Sequence, residues 1–460
     1  MSNIKSLKGK GPKRAGERTG PLPQLEQRPK TGPLTHDGWA PPALRSLEDT
    51  GLSKLAVADL VLKALYFRGD LLGHQIAEIL KLPYNGVLDG VVEFLKREKL
   101  IEVMGSGGIG EASYRYMIAT KGIERALDAL QRTQYAGATP VPLDMYIESI
   151  KAQNRADRLV KEEDLISVMD NLIVSKDMLD KIGPAANSGT SIFLYGPPGN
   201  GKTSFSEAIG RAILGDDLWI PYAVDVDGQV IQIFDYVNHT LSDDQTPLRY
   251  GTGSMADPRW VRIKRPVIIV GGELTMESLD LIYDPINKFY EAPYQVKANG
   301  GLFLIDDFGR QQVRPQELLN RWIVPLEKKY DFLTLNNGRK IELPFNVLII
   351  FSTNMDPKDL VDDAFLRRIK YKIEVGNPTL EQYRELFELM CRLKNIPFDR
   401  DGMVYLIKEW YRKYNRDLRF VHPRDILSQM EDIAQYLGRP VTMADTDLID
   451  RAAASYFVEL

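Results

Sequence analysis

Cysteine is almost absent from this chain: of 460 residues, Cys391 alone carries a thiol. An internal disulfide framework is therefore excluded, and a lone thiol suits a reducing compartment. Cys391 stands beside Met390 and near Leu393 in a helical pattern, which reads as a small core residue rather than a nucleophile. Histidine is scarce too, with four scattered residues and no His/Cys grouping at metal-ligand spacing. No apolar run approaches the roughly 20 residues needed to span a bilayer. The N-terminus is basic but has no apolar stretch of the signal-peptide kind, so the cytoplasm is the expected location. Neither sign of charge dominates: a net charge of −4 excludes a wholly basic nucleic-acid coat and leaves open only a local patch. What remains, 44% hydrophobic and 27% charged, is the composition of an ordinary globular chain long enough for two or three domains.

Against that plain background one stretch stands out, Gly196-Pro197-Pro198-Gly199-Asn200-Gly201-Lys202-Thr203, followed by Ser204. An apolar run, Ser191 to Tyr195, precedes it, and a pattern with apolar residues at 205, 208, 209, 212 and 213 follows. That is a buried strand, a glycine-rich turn and an amphipathic helix. Glycines let backbone N–H groups converge on phosphate oxygens, and the helix N-terminus adds its positive end. Lys202 is placed to neutralise the β- and γ-phosphates and the Thr203 hydroxyl to ligate Mg²⁺. The stretch predicts binding of a nucleoside triphosphate.

A second motif is Gly300-Gly301-Leu302-Phe303-Leu304-Ile305-Asp306-Asp307. Four consecutive apolar residues predict a strand buried on both faces, and carboxylates at its C-terminal end fall where open α/β sheets bind ligands. Asp306 is the candidate to hold Mg²⁺ and Asp307 the candidate to polarise an attacking water. Phe345 to Phe351 predicts another buried strand, ending in the polar tip Ser352-Thr353-Asn354.

Along the rest of the chain, residues 1–50 are rich in Gly, Pro, Lys and Arg and predict a disordered tail, suited to weak contact with nucleic acid or acidic partners or, as the plainer reading, simply to solubility. Residues 51–135 predict three helices, an Ile101-containing strand, a glycine-rich turn at 105–110, a returning strand through Tyr116, and a helix starting near a capping Thr120. This order resembles a winged-helix α+β domain, with the third helix (about Asn85 to Glu98) as its recognition helix. Charges there nearly balance, and the first turn of that helix offers Tyr84 and Asn85 but no Arg or Lys. A DNA reader draws its affinity from basic contacts to phosphate, so a protein-interaction role is the expectation and nucleic-acid binding the alternative. Residues 136–165 read as a linker. Within 216–272, a hairpin turning at Asp227-Gly228 is expected, then a mobile polar loop from Thr240 to Trp260 and a core strand at 267–270. Residues 378–460 carry helical pattern throughout.

Taken together, phosphate loop, acidic strand and polar strand tip resemble the AAA+ ATPases over about 165–460. The resemblance implies an α/β P-loop NTPase fold: an AAA+ core (166–377) and an all-α lid (378–460), preceded by the winged-helix-like domain. It implies ATP and Mg²⁺ as cofactors and Asn354 as the "sensor 1" that positions water, with Ser352 and Thr353 as further candidates. Asp307 stands where most of the family has Glu. Asp363 to Ile369 is similar to the family's arginine-finger segment, implying that Arg368, or else Arg367, reaches the nucleotide of a neighbouring subunit. Arg424, in His422-Pro423-Arg424-Asp425-Ile426, matches the lid's "sensor 2" arginine. A hairpin around Asn336-Asn337-Gly338 resembles the branch that contains MoxR-type ATPases, replicative helicases and enhancer-binding activators. The aromatic sigma-gripping loop of those activators is absent from 274–297. The resemblance thus implies a homo-oligomeric ring, most often a hexamer, that remodels a protein client, with a DNA-directed ATPase or DNA-binding regulator as the alternative.

Overall fold

A computed structural model describes residues 39–154, 160–169, 172–213, 215, 217–245, 249–250, 254–360 and 366–457. Its centre is a five-stranded parallel sheet, numbered here along the chain as β1 (Ser191–Tyr195), β2 (Val267–Val270), β3 (Leu302–Ile305), β4 (Leu348–Thr353) and β5 (Tyr371–Glu374). The spatial order is β2-β3-β4-β1-β5. Side chains alternate between the two faces, and both faces are covered. Phe193, Phe303, Ile305, Ile349 and Phe351 enter one core around Trp322. Ile192, Leu194, Leu302, Leu304, Leu348 and Ile350 enter another beneath Phe205, Ala208 and Ile209 of the helix Lys202–Ile213. Burial on both sides is why the three central strands, β1, β3 and β4, are nearly uninterrupted apolar runs, whereas the edge strands β2 and β5 are buried on one side only. Because every strand points the same way, Gly196, Asp306 and Asn354 emerge at one edge.

Four helical stretches follow: Leu380–Leu393, Arg400–Leu406 continuing through a π-helical turn at Ile407–Arg412, His422–Leu437 and Thr446–Tyr456. The first opens with a capping box between Thr379 and Gln382, which satisfies end N–H groups that water or a ligand otherwise must meet. They enclose their own core, where Cys391 is buried beside Tyr383, Phe387 and Met430, as its helical setting predicts. Sheet, glycine turn and helical cover define an α/β P-loop NTPase fold with an all-α lid.

The sequence-based linker is not a free connection. Val141–Pro142 pairs in parallel with Ala223–Val226 and joins a second, five-stranded sheet that includes the Asp227-Gly228 hairpin. Helix Leu143–Ala152 then buries Tyr146 and Ile150 in the core of that sheet, and Leu165 and Met169 pack under the central one. The Ala-Gly-Ala-Thr-Pro composition describes only the turn before Val141. Likewise, of the segment read as a tail, residues 1–38 lie outside the described residues, whereas 39–50 are packed. Trp39 meets Trp260 edge to face at 5.3 Å, and Leu44 is buried in the core of the N-terminal unit. The loop expected to be mobile between Thr240 and Trp260 is fastened at both ends. Leu241 bridges to Ile263, the Ser242 N–H donates to the Arg262 carbonyl, and Asp257 and Trp260 are buried.

The N-terminal unit comprises helices Lys54–Arg68, Gly73–Leu80 and Asp89–Arg97, the hairpin Ile101–Ser106/Tyr114–Ile118, and helix Thr120–Arg132. Its third helix starts later than its apolar periodicity suggests. Gly86 takes a left-handed φ of 83° and Asn85 an extended ψ of 130°, and Asp89 Oδ2 accepts the Gly86 N–H at 2.8 Å. Ala119, not Thr120, occupies the cap position of the last helix. The unit shares its core with Ala223 and Val230 of the second sheet. Arg259, fully buried, chelates Asp257 and reaches across to the carbonyls of Thr50 (2.8 Å) and Pro140 (3.2 Å).

Candidate nucleotide site

The loop after β1 bends as its glycines require. Gly196 has φ 140°, and a Cβ there would lie 2.3 Å from the Val375 carbonyl oxygen; at Gly199, φ 77°, it would lie 2.7 Å from Val421 Cγ1. Any larger residue at 196 would push the loop off the Val375 backbone, just past β5. Lys202, the first residue of the helix, is mostly buried, and its Nζ donates to the carbonyls of Gly196 (3.0 Å) and Pro197 (3.1 Å) and to Asn354 Oδ1 (2.5 Å). Burial lowers the Lys202 ammonium below the ordinary lysine range, while Asp306 and Asp307 act in the opposite sense.

Two acidic residues leave β3 in different ways. Asp306 Oδ2 accepts the Thr203 hydroxyl at 2.7 Å, and its Oδ1 accepts the Asp307 N–H at 3.0 Å. Asp307 adopts φ 49°, unusual for a residue with a Cβ. Its Oδ1 accepts from Asn354 Nδ2 at 3.1 Å. Lys202, Asn354 and Asp307 thus form one hydrogen-bonded chain, and Thr203 with Asp306 forms a second pair beside it. The hydroxyl and carboxylate of that pair are hard oxygen donors, the set that suits Mg²⁺, which keeps most of its remaining positions for water and phosphate. Among the three residues at the tip of β4, the geometry selects Asn354. The Thr353 hydroxyl is spent on the Phe308 carbonyl at 2.7 Å, and Ser352 is fully buried beneath the sheet edge.

A cavity of about 410 Å³ opens over this cluster. Its floor is the run from Pro198 to Phe205 with Asp306, Asp307 and Asn354; Leu172 and Ile173 form one wall, and Leu386, Met390, Phe420, Val421 and Arg424 of the lid form the other. No sequence motif assigns the apolar wall residues to the site. Leu386 and Met390 are spaced i, i+4 on one lid helix, a pattern that signals a buried face without saying what it faces. Arg424 reaches the cavity but is exposed, and its Nε donates to Asp425 Oδ1 at 2.8 Å.

Arg367 and Arg368 are not brought to this cavity. Arg368 Nε donates to Glu327 Oε1 at 2.7 Å, and Arg367 is exposed next to it; residues 363–365 of the same segment lie outside the described residues. Asn200 departs from its expected role in another way. Its backbone lines the loop, but its side chain is fully buried and turned toward the lid, donating from Nδ2 to the Gly376 carbonyl (3.1 Å) and Asn377 Oδ1 (2.9 Å).

A family model described as "Domain of unknown function (DUF8689)" matches residues 379–455, the lid alone. No curated protein matches. Among solved structures, the RuvB Holliday junction branch migration motor of Thermotoga maritima is 14% identical over 63% of this chain and 72% of its own, with a TM-score of 0.36. NtrX from Brucella abortus in complex with ATP is 14% identical over 63% of this chain and 58% of its own, TM-score 0.38. Another structure of the same NtrX is 15% identical over 74% and 68%, TM-score 0.40. The chemistry of the cavity follows from this chain's own side chains.

Proposed function

We propose that this protein is a magnesium-dependent AAA+-type ATPase that works as a homo-oligomeric ring, a hexamer in the family's usual form. The observation that carries the reading is the meeting, under one cavity, of the Thr203–Asp306 pair and the Lys202–Asn354–Asp307 chain. In this reading the 196–204 loop cradles the phosphates and Lys202 neutralises their charge; Thr203 and Asp306 would hold Mg²⁺, which would supply further charge neutralisation. Asn354 leaves Lys202 for the phosphate and, with Asp307, orients the attacking water. Arg424 faces the same cavity from the lid. Arg368, or Arg367, serves the site of an adjacent subunit, where a guanidinium stabilises charge developing on the transferred phosphoryl group.

The antiparallel hairpin Tyr330–Thr334/Lys340–Pro344, set just before β4, supports placement in the MoxR-like branch. In this assignment residues 51–135 are a winged-helix-like unit that selects a protein client for remodelling. Its hairpin carries exposed apolar side chains: Ile109 in the turn is fully exposed, and Met104 and Val103 are about half exposed. Asp89, with its carboxylate bound to the Gly86 N–H, also replaces the helical first turn that a base-reading helix presents. Among the described residues no helix is long and apolar enough to cross a membrane; cytoplasmic action is part of the same proposal.

Phosphate release from ATP by the purified chain, followed with and without Mg²⁺ and with light scattering to measure mass, tests the reading. Turnover that requires Mg²⁺, disappears in Asp307→Asn and accompanies an ATP-dependent rise in mass is expected. Full turnover by a monomer sinks the ring, and turnover that rises with duplex DNA replaces the protein client by a nucleic acid.

A further inference from the structure

The lid does more than cover the cavity; it is hydrogen-bonded to the phosphate loop itself at three successive residues. Arg419 Nη1 donates to the Pro198 carbonyl at 2.8 Å, the Phe420 N–H to Asn200 Oδ1 at 3.3 Å, and the Val421 N–H to the Gly199 carbonyl at 2.9 Å. Of these, the Asn200 contact differs in kind, because the same amide also holds the far end of the lid. Its two N–H groups go to Gly376 and Asn377, the connection from β5 into the lid helix that Thr379 caps. One fully buried side chain therefore ties the phosphate loop both to the strand-to-lid connection and to the segment that starts helix His422–Leu437.

From this junction we infer that Asn200 is a positioning residue that makes lid placement depend on what the phosphate loop holds. The inference rests on the nucleotide-site reading above. The amide matches its surroundings in a way few residues can. Two acceptors (Gly376 O and Asn377 Oδ1) face its NH₂, and one donor (Phe420 N–H) faces its carbonyl. A carboxylate at 200 retains the acceptor for Phe420 but sets oxygen against oxygen at 376–377. Alanine severs both sides. Since the loop backbone at 199–201 also borders the cavity, any shift of that backbone on phosphate binding moves both attachment points of the lid together. The alternative roles for an asparagine here, a phosphate ligand or a solvent-facing turn residue, do not fit a side chain with no exposure and three protein partners.

The test uses the full chain with spin labels at Lys340→Cys on the core hairpin and Tyr436→Cys on the lid, both exposed, and with the buried Cys391 replaced by alanine. The core–lid distance is measured without nucleotide and with a non-hydrolysable ATP analogue plus Mg²⁺, at concentrations that saturate each variant by titration with a fluorescent ATP analogue. The labelled parent should change its distance distribution on nucleotide binding. In Asn200→Ala the distribution should broaden and lose that response, and turnover at saturating ATP should fall at least about tenfold while KM moves less. Asn200→Asp should lose the response too, although it retains the acceptor. If Asn200→Ala does not fold, Asn377→Ala, which cuts only the connector side, must still weaken the response. A nucleotide-dependent distance change that persists in Asn200→Ala, or in Asn377→Ala if that variant carries the test, overturns the inference and leaves the nucleotide site standing. So does a parent that binds nucleotide with no change in distance. A parent that binds no nucleotide removes both.

Discussion

The phosphate loop and the paired arginines belong to one polypeptide and to one expected reaction, yet they are built differently. Around the loop every functional side chain already has a partner from its own chain: Lys202 has Asn354, Thr203 has Asp306, Asn354 has Asp307. Arg368 is paired within the chain too, to Glu327, but outside the cavity and at the surface. A half-exposed ion pair of this sort adds little to stability, since solvent screens it and long side chains lose freedom in making it. That ion pair taken by itself is therefore broken at small cost. The contrast teaches that the cavity's side chains are fixed by one another within the chain, whereas Arg368 stands apart from them, as the proposed role at a neighbouring subunit requires.

The largest expected effect separates these halves by rate. Arg368→Ala should lower ATP turnover by about 10³-fold, the scale of an arginine that stabilises phosphoryl-transfer charge, with nucleotide affinity nearly unchanged. If affinity collapses as well, the arginine belongs to the binding half and the contrast is broken. Lys202→Ala should reduce turnover by about 10²–10³-fold, the cost of losing one preorganised charge donor, and should weaken nucleotide binding in the same titration. Mixing the two inactive variants sharpens the contrast further. Subunits that assemble at random place an intact loop against an intact arginine at about one interface in four, so part of the activity should return. No recovery in a mixture shown to be co-assembled would mean the arginine does not act across subunits.

The smallest effect concerns the lid. His422 is buried with Nδ1 2.8 Å from the Tyr411 hydroxyl, and burial, reinforced by Arg419, lowers its pKa from 6.5 to about 4; Asp425 pulls weakly the other way. The unfolded chain therefore binds this proton first. The stability from keeping His422 neutral is present in full above pH 6.5 and is lost as pH falls toward 4, by about 3 kcal/mol at most. Melting temperatures across that window should fall less steeply for His422→Phe than for the parent. Equal slopes would mean the imidazole finds another route to charge.

What was legible in the sequence is what local physics dictates. The runs Leu302–Ile305 and Leu348–Phe351 read as doubly buried strands because both of their faces are apolar. The Asp227-Gly228 turn read as a hairpin because both residues tolerate positive φ, here 52° and 83°. The misses are non-local. Nothing near Val141 announces that its strand partner is Val224, and nothing near Trp39 announces Trp260. Within the candidate site, residue type pointed to the loop, to Asp306 and Asp307 and to Asn354. It could not tell that the Asn200 side chain turns from the phosphates to the lid, or that Arg419 lies between Arg416 and Arg424 as the one donating to the loop. Those choices depend on a lid folded from residues some two hundred positions away.

The buried Arg259, finally, has a mechanical meaning. A guanidinium that chelates Asp257 and grips the carbonyls of Thr50 and Pro140 acts as a rivet through the joint between the N-terminal unit and the second sheet. Opening that joint would break the two bonds to the Thr50 and Pro140 carbonyls and expose the apolar core shared across it, which costs more than bending a solvated linker. A unit riveted in this way moves with the second sheet, so a displacement of that sheet would reach the 105–110 turn as a rigid one.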